Sequence, residues 1–538
     1  MIIFRTKLLP MVFKRHADTF FILVFSLIPL ALHFPYRVNI FLSWEGAYRL
    51  YLGQHPYRDF GLPMGFGYWL LPALFFKIFG PNMLSLVKAQ VILNICGGLA
   101  FRGILKRLDV SPGVRLAAVL TFCLSYILIN FWPWYNNTDI IYGIVGLYFL
   151  MVAYSERSLS RGAGALAGSA LFLFLSFFTK QDGGFLMVAV GLAIVVYEAV
   201  FGREWARCGI FLGSFALVAV LFLEPLRGTA FGYWFNHGQP PHTARLSPRD
   251  ILGEFLEFSQ WIKFYSLLII LIVVWKARRG SFWNNQREMV FLLVTLGMLG
   301  TAAIFQVTSY TPPDNNIFFH AFAIAYILDG LASLMSWDAS RYAWLLLAGV
   351  LLWWSGSYFK YLNRLFPQPV AVAMGGENVI NRHTYMINTD TAHIEDEGTW
   401  TEVPGMPAFH KIKMPPSTVA GIGRLQGLAA FGLGKHVLNM CELTPLTREL
   451  GFNEDKGPME PLWYHLGVCM FNREADTVCA RISRQEYDGV LFEYVPSLNN
   501  FYPFRVRDSL LTNYNLVDSF LAPRRPTNGF VEVFVRRK

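Results

Sequence analysis

Charge is what this sequence has least of. Only 15% of its 538 residues are Asp, Glu, Lys or Arg, 54% are hydrophobic, and mean hydropathy is +0.39. A soluble chain of this length needs more charge to cover its surface, so a wholly soluble protein is excluded. Cysteine is scarce too, at six. Cys96, Cys123 and Cys208 fall in or beside apolar runs, where a thiol serves as a small hydrophobe. Cys441, Cys469 and Cys479 fall in the polar last third. If that part lies outside the cytoplasm, Cys469–Cys479 is the nearer disulfide, and the set leaves one thiol over. There is no internal repeat and no low-complexity tract. There is no nucleic-acid-binding motif either, so the net charge of +10 is not read as a nucleic-acid partner. No Cys/His spacing suits a metal, and Pro240-Pro241-His242 is too sparse to count. No cofactor is therefore expected; a divalent metal would have to rest on carboxylates such as Glu45.

What is abundant is apolar runs of roughly 17–22 residues, the length that crosses a bilayer as a helix. The expected spans are about 19–34, 83–104, 114–132, 138–155, 162–178, 183–201, 208–226, 263–276, 288–309, 315–336 and 342–360. Arg5, Lys7, Lys14 and Arg15 precede the first, which reads as an uncleaved signal anchor. The run 64–79 is short and contains Pro72. If it only dips into the interface, the basic loops FRGILKR, SERSLSR, GREWAR, KARRG and WDASR all face the cytoplasm. The expectation is thus a polytopic α-helical protein of about eleven spans in the inner (cytoplasmic) membrane, with a cytoplasmic N-terminus. From about residue 365 apolar runs shorten. Segments 487–496 and 530–537 read as strands and 507–514 as a short helix or turn, so 365–538 is expected to be an extracytoplasmic (periplasmic) α/β domain following a membrane domain 1–364.

This topology places acids, amides and aromatics on the outer surface, in the loops 35–82, 132–139, 178–184, 232–250 and 309–316 and in the C-terminal domain. Transporter symmetry is not evident. In the first loop, Trp44, Tyr48, Tyr51 and Leu52 share one helical face, and Gly53 ends the helix. Glu45 and Arg49, at i and i+4, read at their simplest as a surface ion pair. Pro56 then turns the chain into Tyr57-Arg58-Asp59-Phe60. Asn136, Asn137 and Asp139 are expected to form a turn and N-cap between spans, and Asp182 has a capping reading of its own. Glu442, Glu454, Asp455 and Glu460 are expected to form a solvated acidic face. His320 lies inside an apolar span, either reaching a cavity or hydrogen-bonded in the core.

Glu45-Gly46, Gly53, Pro56-Tyr57-Arg58-Asp59-Phe60 and Phe76-Lys77-Ile78-Phe79-Gly80 together resemble the first extracytoplasmic loop of GT-C fold glycosyltransferases. They are most similar to bacterial relatives of protein O-mannosyltransferases and to aminoarabinose transferases. Thr179-Lys180-Gln181 with Gly183-Gly184 resembles a second element of that family. The resemblance covers the architecture of roughly residues 19–360 and does not extend beyond residue 365. It implies transfer of a sugar from a polyprenyl-phosphate donor to an envelope glycan, lipid or protein. It also implies that an acid of the first loop is the general base. Many relatives carry an Asp-Glu pair where this chain has Trp44-Glu45, which leaves the base to Glu45 or, second, to Asp59. Arg58, Lys180 and Gln181 are the candidates to hold the donor phosphate, where negative charge builds as the glycosidic bond breaks. His55, Tyr57, Asp182, Asp314 and His320 are the further candidates to line the substrate site. Three other readings stay open: an O-antigen ligase or polymerase using Arg227, His237, His242, Arg245 and Arg249, a transporter or flippase, and a relative without catalysis.

Overall fold

The computed structural model describes residues 3–36, 40–235, 248–280, 282–309, 317–365, 399–458, 460–464, 470–495, 503–523 and 529–537. Asp314, His237, His242, Arg245 and Cys469 lie outside them, and with them the Cys469–Cys479 pairing.

The described chain is mainly helical. Eight helices are long and apolar enough to cross a membrane: Met83–Arg107, Pro112–Ile129, Tyr135–Ser155, Leu159–Thr179, Gln181–Phe201, Trp205–Leu226, Gln260–Arg278 and Gln286–Thr308. The other three expected spans fall on shorter apolar helices, His16–Ala31, Phe318–Leu334 and Ala343–Trp353. The expected span 342–360 is two helices, the second being Ser355–Leu365. The Pro72-containing run forms the 13-residue helix Gly67–Phe79. At 1.5 Å per residue it reaches about 20 Å, short of the hydrocarbon thickness of a bilayer.

By contact density the chain divides into two compact units. One holds residues 1–29, 90–225 and 245–360. Within it, Leu159–Thr179 packs on Tyr135–Ser155 and Trp205–Leu223, and Gln181–Phe201 packs on Gln286–Ser309. Leu212, Leu217, Val220 and Leu221 of one helix are exposed. Such an outward apolar face suits lipid rather than water. Charge inside the unit is paired: Asp18 meets Arg102 and Arg115, and Lys276, Glu288, Arg287 and Asp329 form one chain of ion pairs.

The other unit holds residues 30–89, 226–244 and 361–538, so the first loop shares a body with the C-terminal segment. Its four-stranded sheet has the order Val437–Met440, Gly489–Tyr494, Phe530–Arg536, Tyr514–Leu521. The first pair is parallel and the other two antiparallel. A parallel pair needs a crossover, and the amphipathic helix Asn472–Ser483 lies on the connection. Ala475, Val478 and Ile482 from it join Leu438, Met440, Val490, Phe492 and Phe534 from the sheet in one core. Strands form at 489–494 and 530–536 as the apolar patterning predicts, and 504–513 is helical. Phe34–Pro35 adds a short parallel pairing with Ile412–Lys413.

Candidate active site

The helix Ile40–Tyr51 carries the first set of candidates. Its aromatic face is real: Trp44 stacks on Tyr48 at 4.6 Å and Tyr48 on Tyr51 at 6.0 Å. Gly46 is required here, because a Cβ would sit 2.0 Å from the Trp69 ring. Trp69 is locked in turn by its indole N–H on the Leu42 carbonyl, 3.0 Å away. The helix ends as expected at Gly53, whose N–H reaches the Leu50 carbonyl.

This packing sinks the polar side of the helix. Glu45 and Arg49 do pair at 3.0 Å, but the expected surface pair is buried, at 6% and 4% exposure. Arg49 Nε donates to Glu45 Oε1, and one terminal nitrogen lies 3.0 Å from the same oxygen. Burial pushes Glu45 up to about 8; Glu454 and Glu460 push the same way, and Arg49 opposes them.

Asp59 is held differently. Its Oδ2 accepts from the His55 N–H at 2.7 Å and from Arg58 at 3.0 Å, and its Oδ1 accepts from Arg58 Nε. The exposed Arg58 guanidinium keeps Asp59 below the usual carboxylate range. Tyr57, between them, has φ 64. That conformation costs about 1 kcal/mol or more for a non-glycine residue. It is held by the hydroxyl donating to the Met64 carbonyl at 2.5 Å, by the Tyr57–Phe60 backbone bond, and by edge contact with Phe231. Tyr57 thus shapes the loop, with its ring fully buried. His55 is exposed.

The acidic residues of the C-terminal segment are not the solvated face expected of them. Glu442, Asp455 and Glu460 are buried and Glu454 nearly so; Arg49 pairs with Glu454, and Arg481 with Asp455 and Glu460, while the Tyr36 hydroxyl donates to the backbone carbonyl of Glu442. Carboxylates are rarely buried without such pairing.

The second set of candidates belongs to the other unit and stands by itself. Lys180 is a single extended residue between Leu159–Thr179 and Gln181–Phe201. That break lets residues two apart face each other, which a continuous helix forbids. Lys180 Nζ meets Asp182 Oδ1 at 2.5 Å and lies 4.2 Å from the centre of the Phe305 ring. Asp182 Oδ2 accepts from the Thr308 hydroxyl. Asp182 is therefore no cap; the residue before Gln181–Phe201 has no side-chain cap at all. Nor do Asn136, Asn137 and Asp139 form a turn and cap, because the helix begins at Tyr135, before all three.

Asp139 is what sequence reasoning undervalued. It is fully buried, and its Oδ2 has no hydrogen-bond partner among the described residues. Asn136 Oδ1 and Thr138 Oγ1, nearby in sequence, and Thr179 Oγ1 also have no hydrogen-bond partner among the described residues. Gly183 makes room for Asp139: a Cβ there would lie 2.2 Å from Oδ2. The signal available in the sequence was an acid within an apolar span, expensive unless it is used. Gln181 opens the next helix. His320 is a hydrogen-bonded core histidine, its Nδ1 2.8 Å from the Tyr265 hydroxyl and its ring against Phe319, Trp261 and Trp354. Among the described residues no group of three His, Cys, Asp or Glu is placed to hold a metal.

No protein-family model matches the chain, and no curated protein matches it. Solved structures do. ArnT from Cupriavidus metallidurans in the apo state is 11% identical, with TM-score 0.48, over 95% of this chain and 96% of that one. The same protein bound to undecaprenyl phosphate gives 12% identity and TM-score 0.44 over 97% of each chain. The apo oligosaccharyltransferase of Archaeoglobus fulgidus gives 10% and 0.43 over 64% of this chain. The chain spans about half the length of that oligosaccharyltransferase, 55% of it. Both proteins are GT-C glycosyltransferases, the class that the first-loop residues resemble. At TM-scores below 0.5 the likeness itself carries no argument about activity or site.

Proposed function

We propose that this chain is a multi-pass membrane glycosyltransferase. It moves a sugar from a polyprenyl-phosphate donor to an envelope acceptor at the extracytoplasmic face of the inner membrane. The N-terminus is cytoplasmic, and residues 365–538 stand on the side of the chemistry. The observation that carries the reading is Glu45. It lies in the motif-bearing helix, is buried, has one oxygen clamped by Arg49, and is pushed up to about 8. A carboxylate whose affinity for a proton is raised towards the working pH suits general base catalysis.

In the reaction Glu45 takes the proton of an acceptor hydroxyl. The acceptor oxygen bonds to the anomeric carbon, and the bond from that carbon to the phosphate oxygen breaks. The polyprenyl phosphate leaves with the electron pair. Arg58 in the first loop and, taken separately, Lys180 with Gln181 in the other unit are each candidates to stabilise the phosphate as charge builds on it. Asp59 is the weaker base, since its carboxylate is already engaged on both oxygens. Asp139, with its unsatisfied oxygen, joins Asp182 as a candidate to meet a sugar hydroxyl.

The test is transfer by purified full-length protein from radiolabelled undecaprenyl-phosphate sugars, a panel of hexoses and pentoses, into isolated envelope membranes. Labelled product with at least one donor is expected. Absence of product with every donor, alongside tight binding of the lipid-linked sugars, sinks the transferase reading and favours the flippase.

A further inference from the structure

Arg49 is shared. Its Nε and one terminal nitrogen hold Glu45 Oε1, and that same nitrogen reaches Glu454 Oε2 at 3.3 Å. The other terminal nitrogen donates to the Asp455 carbonyl at 3.2 Å and to Gln54 Oε1 at 3.4 Å. The guanidinium thus makes four hydrogen bonds, with donors on all three of its nitrogens. Of the acceptors, Glu45 Oε1 and Gln54 Oε1 belong to the first loop, and Glu454 Oε2 and the Asp455 carbonyl to a segment some 400 residues later in the chain.

That segment is itself tied to the first loop along its backbone. The Gly457 N–H donates to the Asp59 carbonyl at 2.8 Å, Gly61 to Glu460 at 2.7 Å, and Leu462 to Gly61 at 3.2 Å. The helix Asn472–Ser483 and the residues flanking two strands hold it: Asp455 accepts from Tyr487 and Arg481 at 2.7 Å and meets His436 Nε2 at 2.5 Å. Arg481 also reaches Glu460 at 3.1 Å. An ion pair of Glu45 with Arg49 alone needs none of this. The second carboxylate competes with Glu45 for one guanidinium, and the buried group carries four acids, Glu45, Glu454, Asp455 and Glu460, against Arg49, Arg481 and the half-exposed His436.

We propose that Glu454 is a positioning residue for sugar transfer: through the shared guanidinium of Arg49, the C-terminal segment sets where the Glu45 carboxylate points. The proposal rests on Glu45 being the general base. It assigns the C-terminal domain a part in the chemistry without any contact of its own with substrate. The charged groups facing Glu45 are Arg49 from its own helix and Glu454 and Glu460 from the later segment. Loss of the Glu454 charge removes a repulsion and frees the Arg49 terminal nitrogen that Glu454 shares with Glu45, so both effects make Glu45 easier to ionise.

The test compares wild type, Glu45→Gln, Glu454→Gln and Glu454→Asp in full-length protein, using the undecaprenyl-phosphate sugar that wild type transfers, across pH. Glu454→Gln is expected to lower kcat about tenfold with KM for the donor within about twofold. It is also expected to move the acid limb of the kcat/KM profile down by about one pH unit, the scale of losing one close like charge. Glu454→Asp keeps the charge and restores the limb. Two results overturn the proposal: a wild-type kcat and limb for Glu454→Gln, or equal losses for Gln and Asp with the limb unmoved, which is what a purely structural role gives. If Glu45→Gln transfers as well as wild type, the base assignment fails and the proposal falls with it. That outcome is read from a different variant and is distinguishable from the first two.

Discussion

Both units bury carboxylates, and they satisfy them in opposite ways. Around Glu45 the acids crowd onto shared arginines, so that Arg49 serves Glu45 and Glu454 while Arg481 serves Asp455 and Glu460. Around Lys180 each group has a partner to itself: Asp182 spends one oxygen on Lys180 and the other on Thr308, and Asp139 is left with a bare oxygen against Gly183. Sharing makes the first cluster rich in negative charge and hungry for protons. Separate pairing makes the second neutral in its ion pair and unsatisfied at one atom. The first arrangement suits a base, the second a pocket that waits for a polar ligand.

Breaking the second cluster gives the largest expected effect on stability. Lys180→Ala removes the cation paired with Asp182, and unfolding in detergent should show a loss of about 2 kcal/mol, below the full cost of breaking a buried pair because both side chains keep some exposure. Lys180→Arg should recover part of it. Gly183→Ala comes next. Its methyl would meet Asp139 Oδ2 at 2.2 Å and Phe305 at 2.5 Å. Overpacking of this kind costs about 1–3 kcal/mol, again read from the unfolding midpoint.

The first cluster is sharpened by pH. Glu45 is raised from its ordinary 4.5 to about 8, and Glu460 to about 7. A carboxyl raised in the folded state binds its proton more tightly there than when unfolded. Its stabilising share is therefore complete below pH 4.5 and lost as pH rises through 7 and 8. Stability of the wild type should decline across that window, and Glu45→Gln should flatten the decline. The smallest effect is expected at Arg58, whose side chain is mostly exposed. Arg58→Ala should leave the unfolding midpoint unchanged and let Asp59 return towards the ordinary carboxylate range, while raising KM for the lipid-linked donor.

Local features of both clusters were legible in the sequence. The helix of the first loop follows from Trp44, Tyr48 and Tyr51 at helical spacing with Gly53 after them, and the Lys180 element was visible as polar residues at the end of an apolar run. What the chain order hides is who meets whom. Glu454 looks like a surface acid because its cationic partner Arg49 lies about 400 residues away. Asp139 was hidden for a smaller reason. Placing the helix start three residues late turned a buried side chain into a cap, and helix ends are the least certain feature of any such reading. His320 went the other way: the cost of a histidine in an apolar span is met by Tyr265, far along the chain.

The most direct measurement of the central claim sets Glu45→Gln beside Asp59→Asn in the same transfer assay, at matched expression and with donor binding measured separately. A base supplies about 10²–10⁴-fold in rate, so Glu45→Gln should lose transfer on that scale with donor binding retained, while Asp59→Asn stays within about tenfold of wild type. Transfer by Glu45→Gln at the wild-type rate, with Asp59→Asn inactive, would contradict the account and move the base to the exposed turn.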